Sequence, residues 1–289
     1  MPYSGPLSIS NISPEQANAL PQNIVPCQLF SLSPKTIQVT QPVTLTVNNY
    51  DNLRAGELVD VWVFNGRIFN IIGTGQVTPG GDQVTAQISG IRGGESIALA
   101  PQAGEVSITS DQPGDIYTPG LLNEGNYSTS YTTQSYSSLG SDRALTFVYN
   151  STSASPAPIV SSISSVRDGQ TIPASISQMI RVGDANLSLQ SNIDLSETPA
   201  GATDFVQSGT FDASTLDAGI YPVSFVSINQ YACSQVGSEV ETEIAINNVV
   251  ESPIGSGWSI AEISRLQLDD MGRAQIINGN GTIPLPLMI

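Results

Sequence analysis

Val59-Asp60-Val61-Trp62-Val63-Phe64-Asn65-Gly66-Arg67-Ile68-Phe69-Asn70-Ile71-Ile72 is the stretch whose reading decides the fold. Residues 59–64 are an apolar run of β-branched and aromatic side chains, too short for a helix and rich in strand formers. Asn65-Gly66 follows it. That pair signals a two-residue hairpin, because both residues tolerate the positive φ of a tight primed turn. Residues 67–72 are then the returning strand. Trp62 falls in the central strand, where a bulky ring fills the space between two sheets.

The same grammar extends outward. Residues 36–40 and 43–48 alternate, with Val43, Leu45 and Val47 on one face. Gly80-Gly81-Asp82 precedes a strand at 84–88, and Gly93-Gly94 precedes another at 96–99. Short strands with turn signals about every 8–12 residues describe a β-sandwich. Beyond Pro156 and Pro158 the pattern restarts at 159–166, 175–182 and 185–189. Tyr221, Val223 and Phe225 share one strand face, and Val240, Thr242, Ile244 and Ile246 share another. These form a second sandwich. Residues 263–268 and 274–277 flank Asp269-Asp270-Met271-Gly272-Arg273 as a terminal hairpin, and Asn278-Gly279-Asn280-Gly281 offers a further tight turn.

The chain therefore reads as all-β, with two immunoglobulin-like β-sandwiches in tandem plus a C-terminal β-hairpin. Residues 1–22 are an extended lead-in, 23–110 the first sandwich, and 111–158 a Tyr/Ser/Thr-rich connecting segment. Residues 159–250 are the second sandwich and 251–289 the hairpin and tail.

Charged residues make up 12% of the chain, with nine basic against 25 acidic and a net charge of −16. Nucleic acid is a poor partner for such a chain, since phosphate binding requires a basic patch. No segment holds the roughly 18 consecutive apolar residues of a membrane-spanning helix, so membrane insertion is not expected. The first residues lack a basic and then apolar leader, so an exported chain would be a mature form or a fragment.

There is no histidine. That removes Ser-His-Asp and Cys-His nucleophile systems and histidine-ligated zinc, iron or copper. Glycine pairs such as Gly73-Thr74-Gly75 lack the lysine and helix of a phosphate loop. Asp111 with Asp115, and Asp269 with Asp270, are the candidate carboxylate pairs; all occupy turn positions, where Asp serves local hydrogen bonding. No cofactor is expected. Asp111 and Asp115 are the candidate calcium ligands, because that ion needs clustered oxygens.

Cys27 and Cys233 fall in different sandwiches and form no CxxC motif. The expectation is two buried free thiols; a disulfide would have to staple the domains together. Tyr127, Tyr131 and Tyr136 are the candidate ligand face, since aromatic rings stack on sugars; the alternative is an ordinary exposed strand pair. Glycosylation sequons stand at Asn11, Asn126, Asn150, Asn186 and Asn280.

Three stretches resemble one family. Ser138-Leu139-Gly140-Ser141-Asp142-Arg143-Ala144-Leu145, leading to Tyr149-Asn150-Ser151, resembles the entry segment of large bacterial RHS/YD-repeat surface proteins. Asp217-Ala218-Gly219-Ile220-Tyr221-Pro222 is similar to a turn in the sandwich that follows it there. Ser252-Pro253-Ile254-Gly255-Ser256-Gly257-Trp258 resembles the lead into the first YD strands, with Asp270, Gly272 and Arg273 matching a hairpin turn of that family. The resemblance covers about 111–283 and implies a structural role for Gly255, Gly257, Trp258, Asp270, Gly272 and Arg273. It implies an extracellular or cell-surface module, a stalk or plug preceding a hollow β-shell. The sequence ends at Ile289 with no YD repeat.

Three functional expectations result: a non-catalytic structural module whose partner is a downstream shell domain, a self-associating subunit of a filament, sheath or virion, or a glycan-binding module.

Overall fold

The computed structural model describes residues 8–12, 24–64, 68–111, 127–166, 169–183, 187–196, 203–268 and 274–279. The chain is all-β apart from a single turn of helix among these residues.

The first unit runs through Ser8–Asn11 (β1), Ile24–Val25 (β2), Gln28–Ser33 (β3), Gln38–Val39 (β4) and Val43–Asn48 (β5). It continues with Leu58–Phe64 (β6), Phe69–Val77 (β7), Gln83–Ile88 (β8), Ile91–Arg92 (β9) and Ser96–Pro101 (β10). Seven of these strands form one antiparallel sheet in the order β1-β3-β10-β6-β7-β8-β5. The alternation decides how it folds over. Leu45 and Val47 of β5 share one core with Val59, Val61 and Val63 of β6, Ile97 and Leu99 of β10, and Phe30 and Leu32 of β3. Strands from both ends thus bury their apolar face against each other, the driving force of a sandwich. Trp62 is half-buried and packs against this cluster.

The decisive hairpin pairs Phe64 with Phe69, whose rings stack at 5.0 Å, so four residues rather than two separate the paired ends; 65–67 lie outside the described residues. A β-bulge skips Ile72, since Val61 opposes Gly73 and Trp62 opposes Ile71. Residues 8–11, assigned to the lead-in from sequence, form β1 and pair with β3.

The second unit and its attachments comprise Glu105–Asp111 (β11), Ser128–Thr132 (β12), Tyr136–Ser138 (β13), Ser141–Arg143 (β14), Thr146–Asn150 (β15) and the helix Ser151–Ala154 (α1). Then follow Ile159–Ser165 (β16), Ser175–Val182 (β17), Leu187–Asp194 (β18), Asp204–Thr210 (β19), Gly219–Gln230 (β20) and Gln235–Ile246 (β21). Trp258–Ile260 (β22), Arg265–Leu268 (β23) and Ala274–Ile277 (β24) complete the described elements.

One sheet is β11-β16-β19 and the facing one is β18-β17-β20-β21-β2. Val160, Ile180, Val223, Phe225, Ile244 and Ile246 fill the space between them. Beside this cluster lies a buried polar layer: Ser164 Oγ and Ser227 Oγ meet at 2.8 Å, and Gln178 Nε2 donates to Phe205 O at 3.1 Å. Buried polar groups that bond one another across two sheets fix how those sheets align. β11 pairs along its whole length with β16, so its residues belong to the second sandwich, although sequence order put 105–110 in the first.

Candidate functional site

Two places gather the residues with chemistry to offer, the joint between the sandwiches and a cavity beside Trp258.

The joint starts from a short strand. Ile24 and Val25 of β2 pair with Val236 and Gln235 of β21, so the first unit lends a strand to the second unit's sheet. In exchange, Tyr231 and Val236 enter the first unit's core beside Ile24. That crossing carries Cys27 to Cys233, and the two are disulfide-bonded with a Cα–Cα distance of 5.1 Å. Free thiols, the expectation from spacing, are thus not what the fold holds: the β2–β21 pairing overrides a separation of 206 residues.

Polar contacts complete the joint. Cys233 N and Ser234 N donate to Asp51 Oδ1 at 3.0 and 2.9 Å. The buried carboxylate of Glu57 accepts at Oε2 from Thr171 N at 2.9 Å, Thr171 Oγ1 at 2.6 Å and Arg54 N at 3.1 Å. Ser238 Oγ donates to Gly104 O at 2.9 Å. Burial, then the Glu57 charge, push the Tyr231 phenol up to about 12, with Asp51 adding to the shift against an opposing hydrogen bond from Asn229. Asp51, Glu57 and Thr171 carry no sequence signature that marks them as joint residues; only the tertiary crossing brings them together.

The cavity has a volume of about 660 Å³ and lies where the three family-like stretches meet. Asn150 comes from the first, Asp217 from the second, and Ser252 and Trp258 from the third, with Asn278 on the rim. Its walls are set by local geometry. Gly255 and Gly257 have φ of +115° and +78°, and a Cβ on Gly257 would stand 2.5 Å from Ala154 Cβ and 2.8 Å from Tyr149 Cε2. Only glycine permits that approach. Ser252 Oγ donates to Trp258 O at 2.6 Å, and Asn248 Nδ2 donates to Ser214 O at 2.9 Å and Leu216 O at 2.6 Å. Tyr221 Oη donates to Asp217 O at 2.8 Å, the corner arrangement that fixes a strand entry in such sandwiches. Asn248 and Ser252 are therefore engaged with the backbone of the wall itself.

β15 also joins β12 and β22 in a small sheet. Thr129, Tyr149 and Trp258 are in register across it, as are Tyr131, Phe147 and Ile260. Tyr149 lies 5.5 Å from Trp258 and 6.1 Å from Tyr127 between ring centroids. Tyr127 and Tyr131 are exposed on this face, whereas Tyr136 stands on the separate β13–β14 hairpin opposite Arg143. The three tyrosines named from sequence do not form one face. Asn150 Oδ1 accepts from Thr152 N and Ser153 N as the cap of α1.

Glu262 clasps the start of β15, since Thr146 N donates to both its carboxylate oxygens at 3.2 Å. That backbone bond holds its pKa below the ordinary 4.5. A depressed carboxylate stabilises above its unfolded value and loses that contribution as pH falls through the folded one. The protection of the Thr146 amide from exchange, followed by NMR and taken relative to the intrinsic rate at each pH, is expected to fall as pH drops below about 4.5. Glu262→Gln should show the lower protection already at neutral pH.

Of the candidate calcium ligands, Asp111 closes β11 opposite Ile159, while Asp115 lies outside the described residues, as do Asp270, Gly272 and Arg273. Asp194 Oδ1 accepts from Ser196 N at 2.9 Å, and Asp204 Oδ1 accepts from Ser165 Oγ at 2.6 Å; both carboxylates serve their local backbone or strand neighbour. Among the described residues, one group of potential metal ligands converges, Cys27, Asp51 and Cys233, and its two sulfurs are bonded to each other.

No family model matches the sequence, and no curated protein does. Among solved structures, the chain is similar to the Enterococcus faecalis MSCRAMM ACE, titled as binding its ligands by the collagen Hug model, at 13% identity and a TM-score of 0.16. The alignment spans 83% of this chain and 95% of that one. A TM-score so low shows no common arrangement of strands.

Proposed function

We propose that this chain is a non-catalytic, extracellular structural and interaction module, a stalk or plug of a bacterial surface protein of RHS type. The joint carries this reading. A disulfide, an exchanged strand and two carboxylate clasps hold the sandwiches as one stiff body, the property a spacer or plug requires. A structural disulfide also fits an oxidising, extracellular setting. The absence of histidine, and a cavity whose Asn248 and Ser252 side chains bond the wall backbone, fit a non-catalytic role. Antibody raised against the first sandwich is expected to label intact producing cells without permeabilisation; label that appears only after permeabilisation would contradict the reading.

Self-assembly is the second reading, favoured by one observation. Among the described residues, the outer half of β7 pairs only with β6, because β8 reaches no further than Gly75. Ile71 and Ile72 are exposed there at 52 and 40%, in an uncharged segment of a chain carrying −16. An unpaired apolar edge is a template for another strand. Light scattering that reports a mass rising with concentration, and a monomer for Ile71→Lys, would favour this reading over a solitary stalk.

A further inference from the structure

We propose that the Cys27–Cys233 bridge is a thiol–disulfide exchange site whose reagent is selected by charge, with the Asp51 carboxylate turning away anionic thiols and leaving the bond open to neutral and cationic ones. Cys233 is exposed and Cys27 half-buried, so a small thiol can reach the bond from solvent. Asp51 Oδ1 stands 3.4 Å from Cys233 Sγ. It is fixed there by the N–H groups of Cys233 and Ser234, so the charge stays against the sulfur.

The chemistry gives that charge two points of action. Exchange begins when a thiolate attacks one sulfur, forming a mixed disulfide and expelling the other cysteine as a thiolate. A second thiolate then attacks the mixed disulfide, the small-molecule disulfide departs, and the two protein thiolates take up protons. The incoming thiolate must first bring negative charge up to a fixed carboxylate. Attack on Cys27 Sγ also leaves the Cys233 thiolate beside Asp51, which makes Cys233 the poorer leaving group. A cationic thiol meets the opposite field and is drawn in. The net charge of −16 adds a diffuse background of the same sign, but salt screens it over about 10 Å, whereas Asp51 acts at contact.

The inference rests on the disulfide and its neighbour alone and stands whether or not the functional reading does. The test is reduction of the full chain by cysteamine, 2-mercaptoethanol and 2-mercaptoethanesulfonate, compared at equal thiolate concentration and followed by alkylation of released thiols. Asp51→Asn keeps an acceptor oxygen for both N–H groups and removes the charge. The ratio of the cationic to the anionic rate is expected to fall on the order of tenfold in Asp51→Asn. Asp142→Asn, on the β13–β14 hairpin, is expected to leave the ratio unchanged. A loosened joint would speed all three reagents together without changing the ratio, so an unchanged ratio in Asp51→Asn overturns the proposal whatever the absolute rates do.

Discussion

Replacing both Cys27 and Cys233 by serine is expected to lower the unfolding free energy by about 5 kcal/mol. The chain-entropy model gives that figure for a bridge closing a loop of 206 residues, because the unfolded chain regains the freedom the bridge denied it. The folded joint should survive the change, since β2 still pairs with β21, Glu57 still accepts from Thr171, and Tyr231 still fills the first core. The loss therefore appears as a lower urea midpoint with native spectra retained before the transition. The double variant is preferable to either single one, which would leave a thiol free to cross-link. A midpoint equal to that of the wild type under oxidising conditions would mean that the staple contributes nothing to the stability of the joined sandwiches.

The second large effect lies in the second sandwich. Phe225 is fully buried on β20, between β17 and β21, and faces the sheet of β11, β16 and β19 across the main apolar cluster. Truncation to alanine removes the transfer energy of the ring and leaves a cavity that a two-sheet core cannot close. The expected cost is about 3–5 kcal/mol, read from urea or thermal unfolding. Phe225→Leu, which refills most of the volume, is expected to cost less than half of that. Tyr221, four residues earlier on the same strand, donates to Asp217 O near the strand's entry, so Tyr221→Phe should cost far less than Phe225→Ala.

The strands themselves were legible because a half-buried strand writes its burial into the sequence every second residue. Leu45 and Val47, Val59 to Val63, and Val223 with Phe225 are buried where their alternation places them. β1 was not legible. Ser8-Ile9-Ser10-Asn11 is exposed throughout and has no apolar face to announce it. Nor was the placement of β11, since alternation says that Glu105–Asp111 is a strand but not which sandwich it joins.

The joint was the least legible part, for a physical reason. β2 has two residues and therefore no period, and its partner lies more than two hundred residues away. Pairing Cys27 with Cys233 depends on that contact, so spacing alone pointed toward free thiols. Around Trp258, Gly255 and Gly257 stand at positive φ, and Trp258 meets Tyr149 across the β15–β22 pairing. The aromatic row was visible only in part, because Tyr127 and Tyr131 share a face with Tyr149 through strand register, while Tyr136 belongs to another hairpin.

Peptide mapping of the purified chain without reduction tests the central claim, that one covalent staple holds the two sandwiches together. Under alkylating conditions, mass spectrometry should find a single cross-linked species joining the peptide with Cys27 to the peptide with Cys233, and reduction should separate the two. Recovery of both cysteines as alkylated thiols without reduction would contradict the account.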